Sequence, residues 1–456
     1  MSYEALDNKM LEYKDEMIES IRQSMRINSV RGEACQDAPY GVGPKIALDH
    51  MLMLGKSMGF KTGCADNRIG WIEYGEGEEM VGVLGHLDIV PAGDGWEHPA
   101  FGAEIHDGVL WGRGCVDDKG PIIGALYGLK AIRELNLPID RRIRILFGTD
   151  EENGSSCAQY YVENGYEMPT IGFTPDAEFP AIFYEKGISF VRAGKKIEDK
   201  GNINIESLEG GSVINIVPGK CKMVVDGPLN VHTSERVKVE IVEGKTVVTA
   251  TGVETHASGP SKGINAIILL LEAVKDNDFG GDFQKMMDFI LEKIGRETNG
   301  ETLGTYYFDE ETGETTLNLG LIKYNGEEMG FAIDTRYPKN GIQEVIDQKM
   351  MDEFAAYGLE GLVIKNAKSL YVPRDSELIT KLRNVYTAET GDDGEAIAIG
   401  GGTYAKEFPN MVAFGPIFPH EESTIHKANE RVSLDSLMKS NQIIAAAMYE
   451  LAKKEN

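Results

Sequence analysis

The chain has 456 residues, more than one ordinary hydrophobic core holds, and this length predicts at least two domains. Its formal net charge of −27 disfavours nucleic acid as a partner, because phosphate binding depends on clustered Lys and Arg. The five cysteines are scattered without a CxxC pair, and the chain starts without an apolar signal core. We therefore expect a soluble, cytoplasmic protein with no disulfides and no membrane contact.

Hydrophobic spacing in the first part of the chain predicts helices over 3–28 and 43–58. Strands and helices then alternate, with a strand at 80–84, a helix at 121–135, and strands at 141–148 and 171–173. Such alternation favours an α/β domain with a mixed, mainly parallel sheet, and ligands gather at the carboxyl ends of strands in sheets of this type.

The pattern changes between residues 187 and 371, where segments typical of strands and helices are mixed without a dense cluster of ligand-type residues. The predicted elements there are strands at 237–242, 245–251, 315–324 and 329–337 and helices at 265–274, 284–294 and 342–357. We interpret 187–371 as an inserted α+β domain. The surrounding domain would comprise 1–186 and 372–456, with a further helix at 376–389.

The segment Gly85-His86-Leu87-Asp88 follows the first predicted buried strand. Two residues apart in an extended segment, His86 and Asp88 point to the same side, so the carboxylate can accept the second imidazole N–H, as a metal-bound histidine usually requires. An isolated HxD is commonly a surface turn, so this interpretation depends on the segments that follow.

A second candidate segment, GRGCVDDKG at 112–120, places two glycines before Asp117 and Asp118. The glycines allow a tight backbone, and a carboxylate can bridge two cations about 3.5–4 Å apart. A phosphate-binding loop is excluded because the GxxxxGK[ST] order is absent. An acidic helix N-cap is the alternative.

Further acids follow the next two predicted strands. Glu151 and Glu152 can provide a general base and a ligand from one short segment, and the alternative is a solvated acidic loop. Asp176 follows the strand at 171–173, and His426 lies near the end of the chain, where a lone histidine is more often structural.

Taken together, these residues would give each of two metal ions one histidine, one carboxylate and a share of Asp117, leaving Glu151 as the base. This mixed nitrogen and oxygen shell suits Zn²⁺, with Mn²⁺ or Co²⁺ as alternatives.

The motifs as a set resemble the M20 (aminoacylase-1-like) family of metallopeptidases. The segments that carry the resemblance, in the order of the family, are GHLDIVPAG, GRGCVDDKG, GTDEENGS, PDAEFP and a late histidine. YGVGPK and GGTYAKEFPN are similar to the bacterial dipeptidase branch. The resemblance implies a zinc-peptidase-like catalytic domain with an inserted lid, two divalent metal ions per chain and a dipeptide substrate.

The resemblance also implies a role for each position. Asp117 would bridge the ions and be followed by a cis peptide bond, and Glu151 would be the general base. The other implied roles are His86 and Asp176 on one metal, Glu152 and His426 on the other, and Asp88 behind His86.

From the lid, the resemblance implies that Asn215, His256 and Arg336 reach the substrate. His256 would stabilise the oxyanion, and Arg336 would clamp a terminal carboxylate. The alternatives are a turn residue for Asn215 and a strand-surface charge for Arg336. The segment Gly401-Gly402-Thr403 would bring backbone N–H groups to the substrate or simply form a turn.

Three functions are compatible with these residues. A dipeptidase that uses a metal-activated water, with Glu151 as base, is favoured by the long lid. An N-acyl amino acid deacylase of the same family would share the chemistry and differ in the pocket. An inactive metal- or peptide-binding protein would lack a ligand or the base, but all five implied ligands and the base Glu151 are intact.

Family members with a smaller lid usually dimerise through it. In this chain the extra half of the lid would take the place of the partner, so we expect a monomer, with a dimer as the alternative.

Overall fold

The computed structural model describes residues 3–453. The chain forms two units. The first contains the chain up to Tyr184, Tyr371–Ala398 and the chain from Gly402 onward, and the second contains Glu185–Leu370 with Ile399–Gly401. All five cysteines have free thiols. Within the described range, every helix is too short or too polar to cross a membrane.

The first unit begins with three helices and a run of strands. These elements are α1 (Glu4–Glu12), α2 (Lys14–Met25), α3 (Val42–Ser57), β1 (Lys61–Ala65), β2 (Ile69–Tyr74), β3 (Met80–His86), β4 (Glu104–His106), β5 (Val109–Trp111), α4 (Lys119–Glu134), β6 (Arg142–Gly148), α5 (Ser156–Glu163), β7 (Ile171–Thr174), β8 (Ala177–Glu178) and β9 (Ile182–Glu185). The single helix predicted over 3–28 was wrong, because Tyr13 separates α1 from α2. The ring of Tyr13 packs against Tyr127 of α4 at a centroid distance of 5.9 Å, so tertiary packing accompanies the break.

The inserted unit is built on one antiparallel sheet. Its elements are β10 (Gly187–Lys196), β11 (Ile205–Gly210), β12 (Lys220–Asp226), β13 (Val237–Val242), β14 (Lys245–Thr251), a 3-10 turn (Pro260–Lys262), α6 (Ala266–Val274), α7 (Gly281–Phe289) continued by a π-helical turn (Ile290–Ile294), β15 (Phe308–Asp309), β16 (Gly313–Glu314), β17 (Thr316–Tyr324), β18 (Glu328–Tyr337), α8 (Gln343–Ala356) and β19 (Glu360–Ala367). The eight-stranded sheet has the order β13-β14-β12-β11-β17-β18-β10-β19, and its pairs are antiparallel. Ile267, Leu271 and Phe283 are buried in the core of this unit.

The chain then returns to complete the first unit. The returning elements are β20 (Leu370–Tyr371), α9 (Glu377–Thr390), β21 (Ile397–Ile399), a 3-10 turn (Tyr404–Glu407), β22 (Met411–Ala413), β23 (Pro416–Ile417), β24 (Arg431–Ser433) and α10 (Leu434–Ala452). The Ser376 and Ser433 hydroxyls accept backbone N–H groups at the starts of α9 and α10, which satisfies donors that a helix N-terminus leaves free.

The main sheet of the first unit is mixed, with parallel strands at its centre. β3 pairs in parallel with β6 and β7, and β7 pairs in parallel with β22. The pairs β1–β2, β2–β6 and β9–β22 are antiparallel. All of β3 is buried, as expected for a central strand with an unbroken apolar run. Because β3, β6 and β7 run in the same direction, the residues that follow them meet at one edge of the sheet.

Glycines on α4 allow α10 to approach closely. A Cβ atom added at Gly124 would lie 2.1 Å from Asn441 Oδ1, and one added at Gly128 would lie 2.7 Å from Ala445 Cβ. Both distances are shorter than van der Waals contact. The two helices therefore pack at a separation that only glycine permits at these positions.

We expect the substitution Gly124→Ala to destabilise the protein. Alanine favours a helix over glycine by about 1 kcal/mol, but overpacking a well-filled core costs about 1–3 kcal/mol. Urea unfolding should therefore give a lower free energy of unfolding for Gly124→Ala. Asn441→Ala in the same chain should recover part of the loss, because it removes the overlapping atoms. A Gly124→Ala variant as stable as the parent would contradict this account of the helix contact.

Candidate metal centre

Three parallel strands deliver the candidate side chains to one edge of the main sheet. His86 is the last residue of β3, the acidic segment 150–152 follows β6, and Asp176 follows β7. His86 is fully buried, and so is the nearby Asp88. The predicted placement of these residues just after strands is confirmed.

Asp117 lies at the centre of the group. Its Oδ1 is 2.9 Å from His86 Nε2, and its Oδ2 is 2.9 Å from His426 Nε2. Each carboxylate oxygen therefore meets a different imidazole, which is the arrangement expected of a ligand shared by two ions. The peptide bond between Asp117 and Asp118 is cis, as the resemblance implied.

The remaining acids divide between the two histidines. On one side, Asp176 Oδ2 lies 3.7 Å from His86 Nε2. On the other side, Glu152 Oε2 lies 3.1 Å from His426 Nε2. The Glu151 carboxylate joins the first side, since ligand atoms of Glu151, His86 and Asp176 all lie within 4.8 Å of one another.

Asp88 contacts more than the histidine that it was predicted to orient. His86 Nδ1 lies 2.9 Å from the backbone oxygen of Asp88 and 3.6 Å from its Oδ1, so the carbonyl and not the carboxylate is the nearer partner. The carboxylate instead accepts the backbone N–H groups of Glu151 and Glu152, each at 3.1 Å. The carboxylate of Asp88 therefore lies beside the imidazole of His86, as predicted, and it also anchors the backbone after β6.

The charges in the group are unbalanced toward the negative. Burial, together with the charge of Asp117, raises the pKa of Asp176 to about 6. Burial also raises the pKa of Glu151 well above its ordinary value. Hydrogen bonds with Asp117 and Glu152 raise the pKa of His426 to about 11. Without a bound cation, Asp176, Glu151 and His426 therefore retain their protons to a higher pH than the same groups in water, because protonation reduces the charge of the buried carboxylates or balances it.

The group fits divalent metal ions on chemical grounds. It combines imidazole nitrogens with carboxylate oxygens, the donors that Zn²⁺, Mn²⁺ and Co²⁺ accept. Asp118 is a further buried acid, and burial raises its pKa well above the ordinary value. Its Oδ2 accepts the backbone N–H of His86 at 3.1 Å, while its buried Oδ1 has no hydrogen-bond partner within residues 3–453. Bound cations would compensate the acids that the described side chains leave uncompensated.

The loop that carries Asp117 is held by Glu430, a residue that the sequence analysis did not single out. The fully buried Glu430 carboxylate accepts the N–H groups of Gly114, Val116 and Asp117 at 3.1, 3.0 and 3.4 Å. It also forms an ion pair of 2.8 Å with the buried Arg113. The only signal in the sequence was the pair of glycines in this loop, which permits inward-pointing N–H groups without identifying their acceptor.

In the inserted unit, the predicted substrate-binding residues His256 and Arg336 lie together. Arg336 is buried, and its Nη1 donates to the Gly400 carbonyl at 2.6 Å, while Asp334 accepts from its Nε and Nη2. Arg336 Nη2 lies 3.5 Å from His256 Nε2. The alternative interpretation of Arg336 as a strand-surface charge was therefore wrong. Burial, with a smaller contribution from Arg336, lowers the pKa of His256 to about 4, so the imidazole is neutral at physiological pH.

The other predicted substrate-binding residues are placed by backbone contacts. The Asn215 carbonyl accepts the Ala257 N–H at 2.9 Å, which puts Asn215 beside the His256 segment. Gly401 also belongs to the inserted unit, whereas Gly402 and Thr403 belong to the first. Thr403 Oγ1 accepts the Ala405 N–H at 3.2 Å and caps the 3-10 turn Tyr404–Glu407 that follows.

Several known proteins that are similar to this chain are named as peptidases. The sequence matches Peptidase family M20/M25/M40 over residues 82–450. A protein of Bacillus subtilis (strain 168) named "Putative dipeptidase YtjP" is 36% identical, covering 98% of this chain and 99% of its own. Among solved structures, the di-peptidase Dug1p from Saccharomyces cerevisiae has a TM-score of 0.60 at 13% identity, with 100% of both chains covered. Human carnosine dipeptidase 1 has a TM-score of 0.58 at 13% identity, with 98% of both chains covered, and at these identities the two structures support the fold.

We expect the metal-free protein to lose stability as the pH rises from about 4 to about 6. The pKa of Asp176 is about 6 in the folded chain, against an ordinary value of 3.8, so in this window the folded state binds more protons than the unfolded state. Above pH 6 the resulting loss of unfolding free energy is constant, at up to about 3 kcal/mol. Asp176→Asn should remove this loss and also weaken Zn²⁺ binding.

Urea unfolding in a chelator, at pH 4.5 and pH 7.5, measures the effect. The exposed Asp375→Asn, in the turn before α9, serves as the matched control. An Asp176→Asn variant that gains no stability relative to the parent between these two pH values would contradict the electrostatic account.

Proposed function

Because the chain belongs to peptidase family M20/M25/M40 and is a peptidase, we propose that it hydrolyses the peptide bond of dipeptides with the help of two divalent metal ions. The observation that carries the proposal is the position of Asp117, which has a different imidazole 2.9 Å from each carboxylate oxygen. The name of the Bacillus subtilis relative supports the choice of dipeptides as the substrate class.

The proposed ligands follow from the division of side chains around Asp117. His86 and Asp176 would hold one ion, His426 and Glu152 the other, and Asp117 would bridge them. Zn²⁺ suits these donors, and Mn²⁺ or Co²⁺ are the alternatives. When bound, two such ions lower the pKa of a water molecule and polarise the scissile carbonyl group.

Glu151 is the proposed general base. The backbone N–H of Glu151 donates to the Asp88 carboxylate at 3.1 Å. This hydrogen bond fixes the backbone of Glu151 beside the proposed metal ligands. Burial raises the Glu151 pKa, so the carboxyl group can hold a proton more readily than a solvated glutamate. Glu151 would accept a proton from the attacking water and then donate it to the leaving amine.

Residues of the inserted unit are proposed to bind the rest of the substrate. Asp334 holds the guanidinium of Arg336 in a fixed orientation, which suits it to bind the carboxylate of a dipeptide. The neutral imidazole of His256 would donate a hydrogen bond to the oxyanion, and Asn215 would bind the substrate beside it. Backbone N–H groups of Gly401, Gly402 and Thr403 would add polar contacts.

An N-acyl amino acid deacylase remains the second candidate, because it would use the same metal ligands and the same base. The two functions differ in the acyl group on the carbonyl side of the scissile bond, which is an aminoacyl group in a dipeptide and an acetyl or succinyl group in an acyl amino acid. A panel of dipeptides, N-acetyl and N-succinyl amino acids, assayed with added Zn²⁺ or Mn²⁺, separates them. We expect the highest kcat/KM on dipeptides, and a preference for the acyl amino acids would assign the chain to the deacylases.

Replacing Glu151 by Gln should abolish turnover without removing the metal. The amide keeps the size of the side chain but cannot take up a proton, and loss of a general base lowers kcat by about 10²–10⁴-fold. Steady-state kinetics and elemental analysis of the same preparation measure the two quantities. Glu163→Gln, on the exposed side of α5, is the matched control and should behave as the parent.

Two results would contradict the assignment of Glu151. Near-normal turnover in Glu151→Gln would exclude it as the base. Loss of one metal ion together with turnover would instead make Glu151 a ligand. Glu152→Gln provides the comparison, because a ligand substitution is expected to reduce the metal content.

A further inference from the structure

A second group of metal-ligand side chains lies in the first unit, outside the centre described above. It consists of His98, Glu104 and His106, which we call the outer histidine cluster. Glu104 Oε2 lies 2.8 Å from His106 Nε2 and 3.6 Å from His98 Nδ1. We propose that the outer histidine cluster binds one additional transition-metal ion, with Zn²⁺ the best suited.

The spacing of the three ligand atoms matches the proposed ion. Zn²⁺ bound tetrahedrally at about 2.1 Å needs ligand atoms about 3.4 Å apart, and the two distances to Glu104 Oε2 lie on either side of this value. All three ligand atoms lie within 4.8 Å of one another, so small rotations of partly exposed side chains complete the geometry. Two imidazoles and one carboxylate leave a fourth position for water.

The stacking of the two imidazole rings also favours a shared cation. Their centroids are 4.0 Å apart, with an angle of 14° between the ring planes. Stacked in this way, each ring turns one nitrogen toward the same oxygen of Glu104, so that one metal ion would contact all three ligand atoms. The carboxylate of Glu104 supplies the negative charge that such an ion requires.

The protein holds the ligands in place before any ion arrives. Glu104 and His106 lie two residues apart on β4, so both side chains point to the same face. The hairpin to β5 turns through Asp107 and Gly108, whose φ values of 50° and 76° fit a tight two-residue turn.

His98 is supported by Trp111, which lies opposite Glu104 in the β4–β5 register. The rings of His98 and Trp111 meet edge to face at a centroid distance of 4.8 Å. The guanidinium of Arg431 lies 5.0 Å from the Trp111 ring, so the indole is itself held in place. The His98 side chain therefore lies against a fixed surface.

An ion in the outer histidine cluster would fasten the loop before β4 to the sheet formed by β4, β5 and β24. That loop has another attachment to the returning part of the chain, since the Glu97 N–H donates to Asn429 Oδ1 at 2.7 Å. The ligand types select Zn²⁺, Cu²⁺ or Ni²⁺ over Mg²⁺ or Ca²⁺, which prefer oxygen ligands. We therefore assign the cluster a stabilising role, separate from catalysis.

Equilibrium dialysis of the full chain against Zn²⁺ tests the proposal. His106→Ala and His98→Ala should each bind one Zn²⁺ fewer per chain than the parent. His106 is 45% exposed, so its replacement leaves the fold intact even if His98→Ala does not fold. His232→Ala is the matched control, because His232 forms an exposed pair with Asp276 at 2.6 Å and contributes to no three-residue ligand group in the described chain.

Cu²⁺ binding, followed by electron paramagnetic resonance, identifies the ligands directly. In a parent chain with Zn²⁺ bound at its tighter sites, added Cu²⁺ should show coupling to two nitrogens, and His106→Ala should lose that signal. An equal Zn²⁺ content in His106→Ala and in the parent would overturn the proposal. The substitutions leave the proposed catalytic ligands unchanged, so failure of the outer site is distinguishable from failure of the proposed peptidase mechanism.

Discussion

The shared carboxylate of Asp117 is the interaction on which the organisation of the first unit depends. One oxygen meets His86 at the end of the central strand β3, and the other meets His426 from the returning part of the chain. Glu430 accepts backbone N–H groups of the loop that carries Asp117. Because Glu430 follows His426 by only a few residues, these hydrogen bonds attach the segment that carries His426 to the loop that carries Asp117. The parallel arrangement of β3, β6 and β7 then brings the remaining acids to the same edge.

This arrangement concentrates negative charge at a cost to the folded chain. Burial makes ionisation of Asp176 and Glu151 unfavourable, and the charge of Asp117 adds to the effect on Asp176. The same property is useful in a hydrolase, because a carboxyl group with a raised pKa exchanges protons near neutral pH. The buried Asp176 and Glu151 thus reduce the stability of the metal-free protein, and bound cations would restore that stability.

The sequence predicted the site best where a candidate catalytic or ligand residue directly follows an apolar strand. His86, Glu151 and Asp176 each follow an apolar run, and parallel strands of this kind end at one edge, so their proximity could be predicted without any coordinates. Contacts that depend on long-range backbone geometry could not. No local pattern indicates that Glu430 accepts three N–H groups from a loop more than 300 residues earlier, or that the Asp88 carboxylate binds the backbone after β6.

The interruption of the first unit by the inserted one has a consequence for synthesis on the ribosome. β7 pairs with β22, and α4 is covered by α10, yet β22 and α10 follow the whole inserted unit in the chain. A nascent chain therefore presents an unpaired strand edge and an uncovered apolar helix face while residues 185–401 are being translated. The inserted unit, by contrast, has almost all of its sequence available before the first unit can close. Chaperones that shield open strand edges and apolar faces would act on the first unit during this interval.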